Sequence, residues 1–170
     1  MFEMILQLDK LAFSQVNKLA HRYQLMKVFS MVSIIGNGPA YLYLMVLLQL
    51  SHPKGQVLFN LAGSSLLLAF PLYFLCKNIS RRRRPCHENE FMTFPFEPSD
   101  RFSLPSGHAT AAFVMATSVS YVFPSLTALA YLCAFFIGCS RVILGVHYPL
   151  DIIAGSFLGT LSVHLIHSII

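Results

Sequence analysis

The 170-residue sequence has few charged side chains and contains no tryptophan. Only 11% of its residues are Asp, Glu, Lys or Arg, whereas about a quarter is usual in a soluble domain. Hydrophobic residues make up 55% of the chain, and its mean hydropathy is +0.62. So little charge beside so much apolar content excludes an ordinary soluble domain and indicates a membrane protein.

Two further patterns are missing. The N terminus has no basic stretch followed by an apolar core, so no cleavable signal peptide is predicted. The four cysteines form no C-x2-C pair, which argues against a cysteine-based metal site. A disulfide between Cys76 and Cys86 is possible in an oxidising compartment, although reduced thiols are the preferred interpretation.

The uncharged segments predict where the chain crosses the bilayer. A helix needs about 20 apolar residues to span the hydrocarbon core, where every backbone polar group must be satisfied internally. Four segments lack charge over that length, and Pro124 divides the longest of them. The predicted spans are 28–50, 56–76, the two halves of 109–140, and 152–170. We therefore expect an all-α fold, an integral membrane helical bundle with about five transmembrane helices, as a single domain over residues 1–170.

The first 27 residues differ from the spans because apolar and polar side chains recur with helical periodicity. Leu8 and Leu19 fall on one face, and Lys10 and Asn17 fall on the opposite one. Residues 1–27 are therefore predicted to form an N-terminal amphipathic helix ahead of a bundle over residues 28–170. An in-plane helix at the membrane surface is preferred, and a helix packed on the bundle is the alternative.

Five crossings determine which loops share a side of the membrane. The loops 77–107 and 141–150 fall on the same side as the N-terminal helix, and the other side receives only short turns. Three polar motifs lie within these two loops or at their edges. We therefore expect one composite active site.

The first motif reads K-x6-R-P, from Lys77 to Pro85. Both Lys77 and Arg84 can place their charged groups at the membrane boundary, and a guanidinium can bind two phosphate oxygens. The alternative is a basic cluster, including the arginines 81–84, that attracts anionic lipid headgroups.

The second motif reads P-S-G-H and directly precedes a predicted span. Ser106 is a good N-cap, and Gly107 lets a ligand approach the backbone closely. The N-terminus of the helix favours an anion, and His108 is placed to exchange a proton with it. An ordinary helix cap is the alternative.

The third motif reads S-R-x5-H-x3-D. Asp151 follows His147 by four residues, a spacing that can bring a carboxylate to one edge of an imidazole. The other ring nitrogen of His147 is then a candidate nucleophile toward phosphorus. A simple capping pair at a helix start is the alternative.

Together, K-x6-R-P, P-S-G-H and S-R-x5-H-x3-D resemble the three-part signature of the type-2 phosphatidic acid phosphatase superfamily, without a departure. This superfamily includes integral-membrane lipid phosphatases and soluble vanadium-dependent haloperoxidases. The resemblance covers residues 77–151 and implies a helical-bundle fold. A haloperoxidase is the less expected branch, because the site lies between membrane spans.

The resemblance also implies a phosphohistidine mechanism. His147 would attack phosphorus, Asp151 would orient and polarise His147, and His108 would protonate the leaving oxygen and then activate water. Cations and hydrogen-bond donors would hold the phosphate in line, so neither a metal nor another cofactor is expected. The implied phosphate-binding residues are Lys77, Arg84, Ser106, Gly107 and Arg141.

The predicted function is hydrolysis of a lipid phosphate monoester or of the terminal phosphate of a lipid diphosphate. Undecaprenyl diphosphate, phosphatidylglycerophosphate, phosphatidic acid and a lipid A phosphate all fit the motifs. The expected partners are the lipid substrate and the bilayer, with no nucleic acid, and the oligomeric state is left open. A lipid phosphotransferase and a non-enzymatic lipid-phosphate binding or transport protein are the alternatives.

The sequence predicts a multi-pass protein of a bacterial inner membrane, but two arguments about its orientation conflict. Most Lys and Arg side chains lie on the side of the site, which would place that side in the cytoplasm. Bacterial membrane members of the family usually act on the periplasmic face, and the resemblance therefore implies an external site. We favour the external face, because the catalytic cations are required there whatever the orientation.

Two further features have competing interpretations. The phenylalanine-rich segment 86–104 suggests a lid that admits a lipid tail sideways, or else aromatic anchoring at the bilayer boundary. His87, Glu88 and Glu90, or His164 and His167, are the only candidate metal ligands, and neither set is compelling.

Overall fold

The computed structural model describes residues 2–88 and 100–169. Within them the chain is helical, and a single 3-10 turn, Pro124–Leu126, precedes the seventh α-helix. The family-level expectation of a helical bundle is confirmed for these residues. The α-helices are α1 Phe2–Arg22, α2 Met26–Ile35, α3 Gly38–Ser51, α4 Gly55–Ser80, α5 Pro85–Glu88, α6 Gly107–Val122, α7 Thr127–Ile143 and α8 Pro149–His167.

Helix length and composition support three or four membrane crossings within the described residues, where the sequence predicts five. The helices α4 and α8, and the segment Pro124–Ile143, are long and apolar enough to cross. The pair α2 and α3 is a fourth candidate, bent by 48° at the break between them. The helix α6 has 16 residues, fewer than a straight crossing needs.

The bend between α2 and α3 has a local cause. At Gly36, a Cβ atom would lie 2.6 Å from the Ile137 side chain, so the chain passes too close to α7 for a larger residue. Pro39 lies in the first turn of α3, a position that suits its fixed φ angle and starts a new helix. The predicted first span is therefore two helices.

The helix α6 lies at the centre of the bundle, in contact with α4, α7 and α8. Close approach of α8 depends on two glycines four residues apart. A Cβ at Gly155 would lie 2.5 Å from the carbonyl oxygen of Ser106, and one at Gly159 would lie 2.4 Å from that of Thr110. The small-residue motif of α8 is thus a packing surface for α6, and it sets the position of the P-S-G-H segment.

Large apolar side chains cover the outside of the bundle. They are exposed on α4, α7 and α8, where a soluble protein would carry polar groups, and lipid chains can cover them instead. Examples are Val57, Leu67, Phe70, Leu129, Phe135, Ile153 and Phe157.

The N-terminal helix α1 packs on the bundle through a face that the periodicity did not predict. Asp9, Phe13 and Asn17 are buried, and the Asn17 amide donates to the carbonyl of Ile143 at 3.3 Å. The predicted apolar stripe faces outward, since Leu8 is 58% exposed. Packing on α7 and α8 is therefore observed, and a location at the membrane surface stays a prediction.

Candidate active site

The three sequence motifs meet at one end of the bundle. The loop after α4 carries Arg84, whose Nη1 lies 3.2 Å from Nε2 of His147 in the turn between α7 and α8. At the start of α6, the backbone N–H of Ser106 donates to the carbonyl of Asp151 at 2.9 Å. The two contacts join residues 63 and 45 positions apart in sequence, and the three motifs thus meet as their placement on one side of the membrane predicts.

A carboxylate occupies the space between the two cations of the first motif. Lys77 Nζ lies 2.5 Å from one oxygen of Asp100, and Arg84 donates to the other oxygen and to the Asp100 carbonyl. Tyr73 also donates to Asp100, at 2.9 Å. Burial alone would raise the pKa of Asp100, but the hydrogen bond from Lys77 and the charge of Arg84 outweigh it and bring the pKa to about 2.

The P-S-G-H segment forms the start of α6. Ser106 is the N-cap, and its hydroxyl accepts from the Ala109 N–H at 3.4 Å. The chain runs beside Tyr73 here, since a Cβ at Gly107 would lie 3.2 to 3.3 Å from the tyrosine ring and hydroxyl. His108 Nε2 is 2.8 Å from Oδ1 of Asn37, at the start of α3. The first helical N–H groups and His108 thus border the same end of the bundle.

Arg141 reaches the site from the last turn of α7. Its Nη1 donates to the hydroxyl of Ser33 on α2. Its buried Nε has no hydrogen-bond partner among the residues that the structure describes. A buried guanidinium N–H without a partner is costly, so an incoming anion would gain a donor here.

His147 is buried and faces Asp151 on one edge and Arg84 on the other. Its Nδ1 lies 3.4 Å from Oδ2 of Asp151. A guanidinium can only donate, so Nε2 beside Arg84 is an acceptor and the ring proton belongs on Nδ1. Burial is the main cause that lowers the pKa of His147 to about 4, and Arg84 adds to it while Asp151 opposes it. The imidazole is therefore neutral near pH 7, with its lone pair on Nε2.

Comparison with known proteins identifies the family. The model of the PAP2 superfamily matches residues 56–170, more than half of the chain. The chain belongs to the PAP2 superfamily. The resemblance carried by the three motifs is thereby confirmed, and with it a helical multi-pass membrane protein.

Sequence relatives of this PAP2 protein come from several lineages. It is 32% identical over 122 residues to a lipid A 1-phosphatase of Rhizobium johnstonii, covering 66% of this chain and 50% of that protein. It is 34% identical over 98 residues to an undecaprenyl-diphosphatase of Sulfolobus acidocaldarius, covering 56% and 47%. The chain spans about half the length of these curated relatives.

Solved structures support the fold over a larger share of the chain. The crystal structure of Aquifex aeolicus LpxE matches with a TM-score of 0.81 and 25% identity, covering 92% of this chain and 93% of that one. A transmembrane PAP2-type phosphatidylglycerolphosphate phosphatase from Bacillus subtilis matches with a TM-score of 0.74 and 24% identity, covering 98% and 86%. The second likeness concerns the fold alone.

The sequence did not predict three charged residues that contact the motif residues of this PAP2 protein. Asp9 and Arg82 contact the Asp151 region, and Asp100 contacts the cations, although none of the three belongs to the matched motif positions. Arg82 lies inside the basic run 81–84, which suggested lipid headgroups rather than a buried contact. Asp9 belongs to neither of the two predicted faces of α1, and no periodicity marks it as buried. Only the tertiary fold distinguishes these residues.

The competing metal interpretation gains no support from the described residues. Within 2–88 and 100–169, no three His, Cys, Asp or Glu side chains cluster as metal ligands. His164 Nδ1 instead lies 2.7 Å from the hydroxyl of Tyr121. Glu90 of the other candidate set lies outside the described residues.

Two further expectations concern the first loop. Within the described residues, the Cys76 side chain is exposed and that of Cys86 is half-buried, and the redox state of the two thiols stays a prediction. The lid hypothesis rests mainly on aromatic and apolar residues that lie outside the described ranges. These are Phe91, Met92, Phe94, Pro95 and Phe96.

Proposed function

We propose that this PAP2 protein is a lipid phosphatase that hydrolyses a lipid phosphate monoester or the terminal phosphate of a lipid diphosphate. One observation carries the proposal: Lys77 and Arg84 already bind an anionic group, the Asp100 carboxylate, beside the unprotonated Nε2 of His147. A phosphate group is also an anion that binds such cations, and it has more acceptor oxygens than a carboxylate. Membership of the PAP2 superfamily supports the same reaction class.

The phosphate would replace the Asp100 carboxylate between the cations. Lys77, Arg84 and Arg141 would neutralise its oxygens, because phosphoryl transfer depends mainly on alignment and charge stabilisation. Ser106 and the N–H of Gly107 at the helix start would add hydrogen bonds. These groups supply the positive charge that a metal would otherwise provide, so we expect metal-independent activity.

The reaction would proceed in two displacements. In the first, Nε2 of His147 forms a bond to phosphorus while the bond to the lipid oxygen breaks, and His108 gives a proton to that oxygen. In the second, His108 takes a proton from water, the water oxygen bonds to phosphorus, and His147 leaves. Asp151 stabilises the positive imidazole throughout. A bound phosphate dianion favours the protonated form of His108 that the first step requires.

The site and the membrane fold together support a lipid phosphate as the substrate class. The site lies at the end of an apolar bundle, where a phosphate headgroup can enter while its lipid tail stays in the bilayer. Undecaprenyl diphosphate, phosphatidylglycerophosphate, phosphatidic acid and a lipid A phosphate remain the candidates. We propose five crossings, with α2–α3 and α6 among them, and a site on the external face of a bacterial inner membrane.

Orientation can be tested without a substrate. Arg81 is exposed at the site end of α4, so an Arg81→Cys variant offers a thiol there. In a background that lacks the four native cysteines, a membrane-impermeant reagent should label it in intact cells. Labelling only after the membrane is opened would place the site inside.

The reaction itself is tested by phosphate release from the four lipid candidates with purified full-length protein and EDTA. We expect release from at least one lipid, unchanged by EDTA, with the oxygen of labelled water in the phosphate. A phosphotransferase would need an added acceptor and would not incorporate that oxygen. Binding of lipid phosphates without release would show a non-enzymatic protein.

A further inference from the structure

A chain of buried ion pairs connects the N-terminal helix to the Asp151 carboxylate. Arg82 Nη2 lies 2.5 Å from Oδ2 of Asp9, and Arg82 Nη1 lies 2.9 Å from Oδ1 of Asp151. The side chains of Asp9 and Asp151 are 1% and 0% exposed, and that of Arg82 is 14% exposed. Removing two carboxylates from water is costly unless they are paired, so one guanidinium serves both.

Arg82 completes the set of contacts that fix the orientation of Asp151. Oδ2 of Asp151 accepts from the backbone N–H of Tyr148 at 2.8 Å and faces Nδ1 of His147 at 3.4 Å. Oδ1 accepts from Arg82. Rotation of the carboxylate would break a charge-assisted hydrogen bond on either side, so Oδ2 stays directed at the imidazole.

The position of Arg82 itself is fixed from two directions. Its guanidinium lies over the ring of Tyr148, 4.1 Å from the centroid. Asp9 holds its second nitrogen and also accepts from the backbone N–H of Leu150 at 2.9 Å. The helix α1 thereby ties the loop after α4 to the first turn of α8.

We infer that Arg82, held by Asp9 of α1, is a positioning residue that directs Asp151 toward His147. It differs from Lys77 and Arg84, which face the anion, because both of its terminal nitrogens are engaged by carboxylates. Its catalytic consequence rests on the proposed function, whereas its effect on the tautomer of His147 does not.

The kinetic test is a double-mutant cycle between Arg82→Gln and Asp151→Asn. We expect Arg82→Gln to lower kcat roughly 10- to 100-fold, by analogy with removal of the hydrogen-bond partner that orients a metal-binding side chain. KM should stay within about threefold, because phosphate binding is not involved. The double variant should be no slower than Asp151→Asn alone, since both changes remove one interaction.

Three further variants separate positioning from folding. Arg82→Lys keeps the charge and should recover part of the lost kcat, and Arg83→Gln, on an exposed neighbouring side chain, should match the wild type. Asp9→Asn keeps the size of the buried side chain and should lower kcat less than Arg82→Gln. Multiplicative losses in the double variant, or a raised KM with normal kcat, would overturn the inference.

A spectroscopic readout tests the inference even in a protein that releases no phosphate. With ¹⁵N-labelled histidine, His147 should show the Nδ1–H tautomer in the wild type, identified by loss of its signals in His147→Ala. Arg82→Gln should reduce the population of that tautomer, and Arg83→Gln should leave it unchanged. An unchanged tautomer in Arg82→Gln would refute positioning, whereas absent phosphate release in the wild type would refute only the proposed function.

Discussion

The two halves of the site are held in different ways. The anion-binding half, with Lys77 and Arg84, is held by Asp100, whose side chain is 38% exposed and contacts Lys77, Arg84 and Tyr73. The nucleophile half, with His147 and Asp151, is enclosed, and its carboxylate is fully buried. Under the proposed function, the first half would exchange the Asp100 carboxylate for a phosphate, whereas the hydrogen bonds to Asp151 in the second half are already formed. Catalysis would benefit from this division, because the groups around the nucleophile would need little rearrangement when substrate binds.

The largest expected effect is that of His147→Ala, which should affect turnover and anion binding differently. It removes the proposed nucleophile and leaves the cations in place, so turnover should fall to background while inorganic phosphate still binds. Phosphate release and equilibrium phosphate binding measure the two effects on one preparation. His164→Gln, at the other end of the bundle, is the matched control and should keep full activity. Full activity in His147→Ala would contradict the assignment of the nucleophile.

His108 lies beside the anion half, and the proposed mechanism assigns it the proton transfers of the chemical step. In His108→Gln we expect kcat to fall roughly 10² to 10⁴-fold, the usual range for loss of a general acid or base. The amide can still reach Asn37, so packing at the start of α6 should be kept. Single-turnover kinetics should show slower release of the lipid alcohol. A rise in KM with unchanged kcat would instead assign His108 to binding.

His147, in the nucleophile half, should also titrate at a lower pH than an ordinary histidine. Because burial lowers the pKa of His147 to about 4, its imidazole should stay neutral between pH 5 and pH 8. At pH 5 the neutral fraction would be roughly 30-fold larger than that of an ordinary histidine with a pKa near 6.5. The ¹⁵N signals of His147 in the free protein should therefore move only as the pH approaches 4. A midpoint near 6.5 would show that the site is open to water.

The same shift affects stability in a defined direction. The unfolded chain binds a proton at His147 below about pH 6.5 and the folded chain only near pH 4, so acid favours unfolding between these values. The contribution of the neutral, buried His147 imidazole to the free energy of unfolding has its full value above about pH 6.5 and decreases as the pH falls toward 4. Measuring the folded fraction at each pH of the titration distinguishes protonation of His147 in the folded protein from acid unfolding.

The sequence predicted the residues of the anion half and the nucleophile better than the residues that hold them in position. Lys77, Arg84 and His147 stand at fixed motif spacings, and the charge-free segments placed their loops on one side. Asp9 carries no such signal, because a buried aspartate on an amphipathic helix looks like a solvated one until its arginine partner is known. The break between α2 and α3 was also missed, since it depends on contact of Gly36 with α7. Motif chemistry is local in sequence, and the groups that orient it are not.

The smallest expected effect concerns Asp100, whose carboxylate the phosphate would replace in the anion half. Its pKa of about 2 keeps the carboxylate ionised throughout the neutral range, so it competes with phosphate for Lys77 and Arg84. Asp100→Asn removes that charge and should tighten inhibition by inorganic phosphate up to about fivefold, as expected for a partly exposed ion pair. Asp100→Glu keeps the charge and should show no such gain. Weaker phosphate inhibition in Asp100→Asn would mean that Asp100 organises the cations rather than competing for them, and the contrast between the two halves would then disappear.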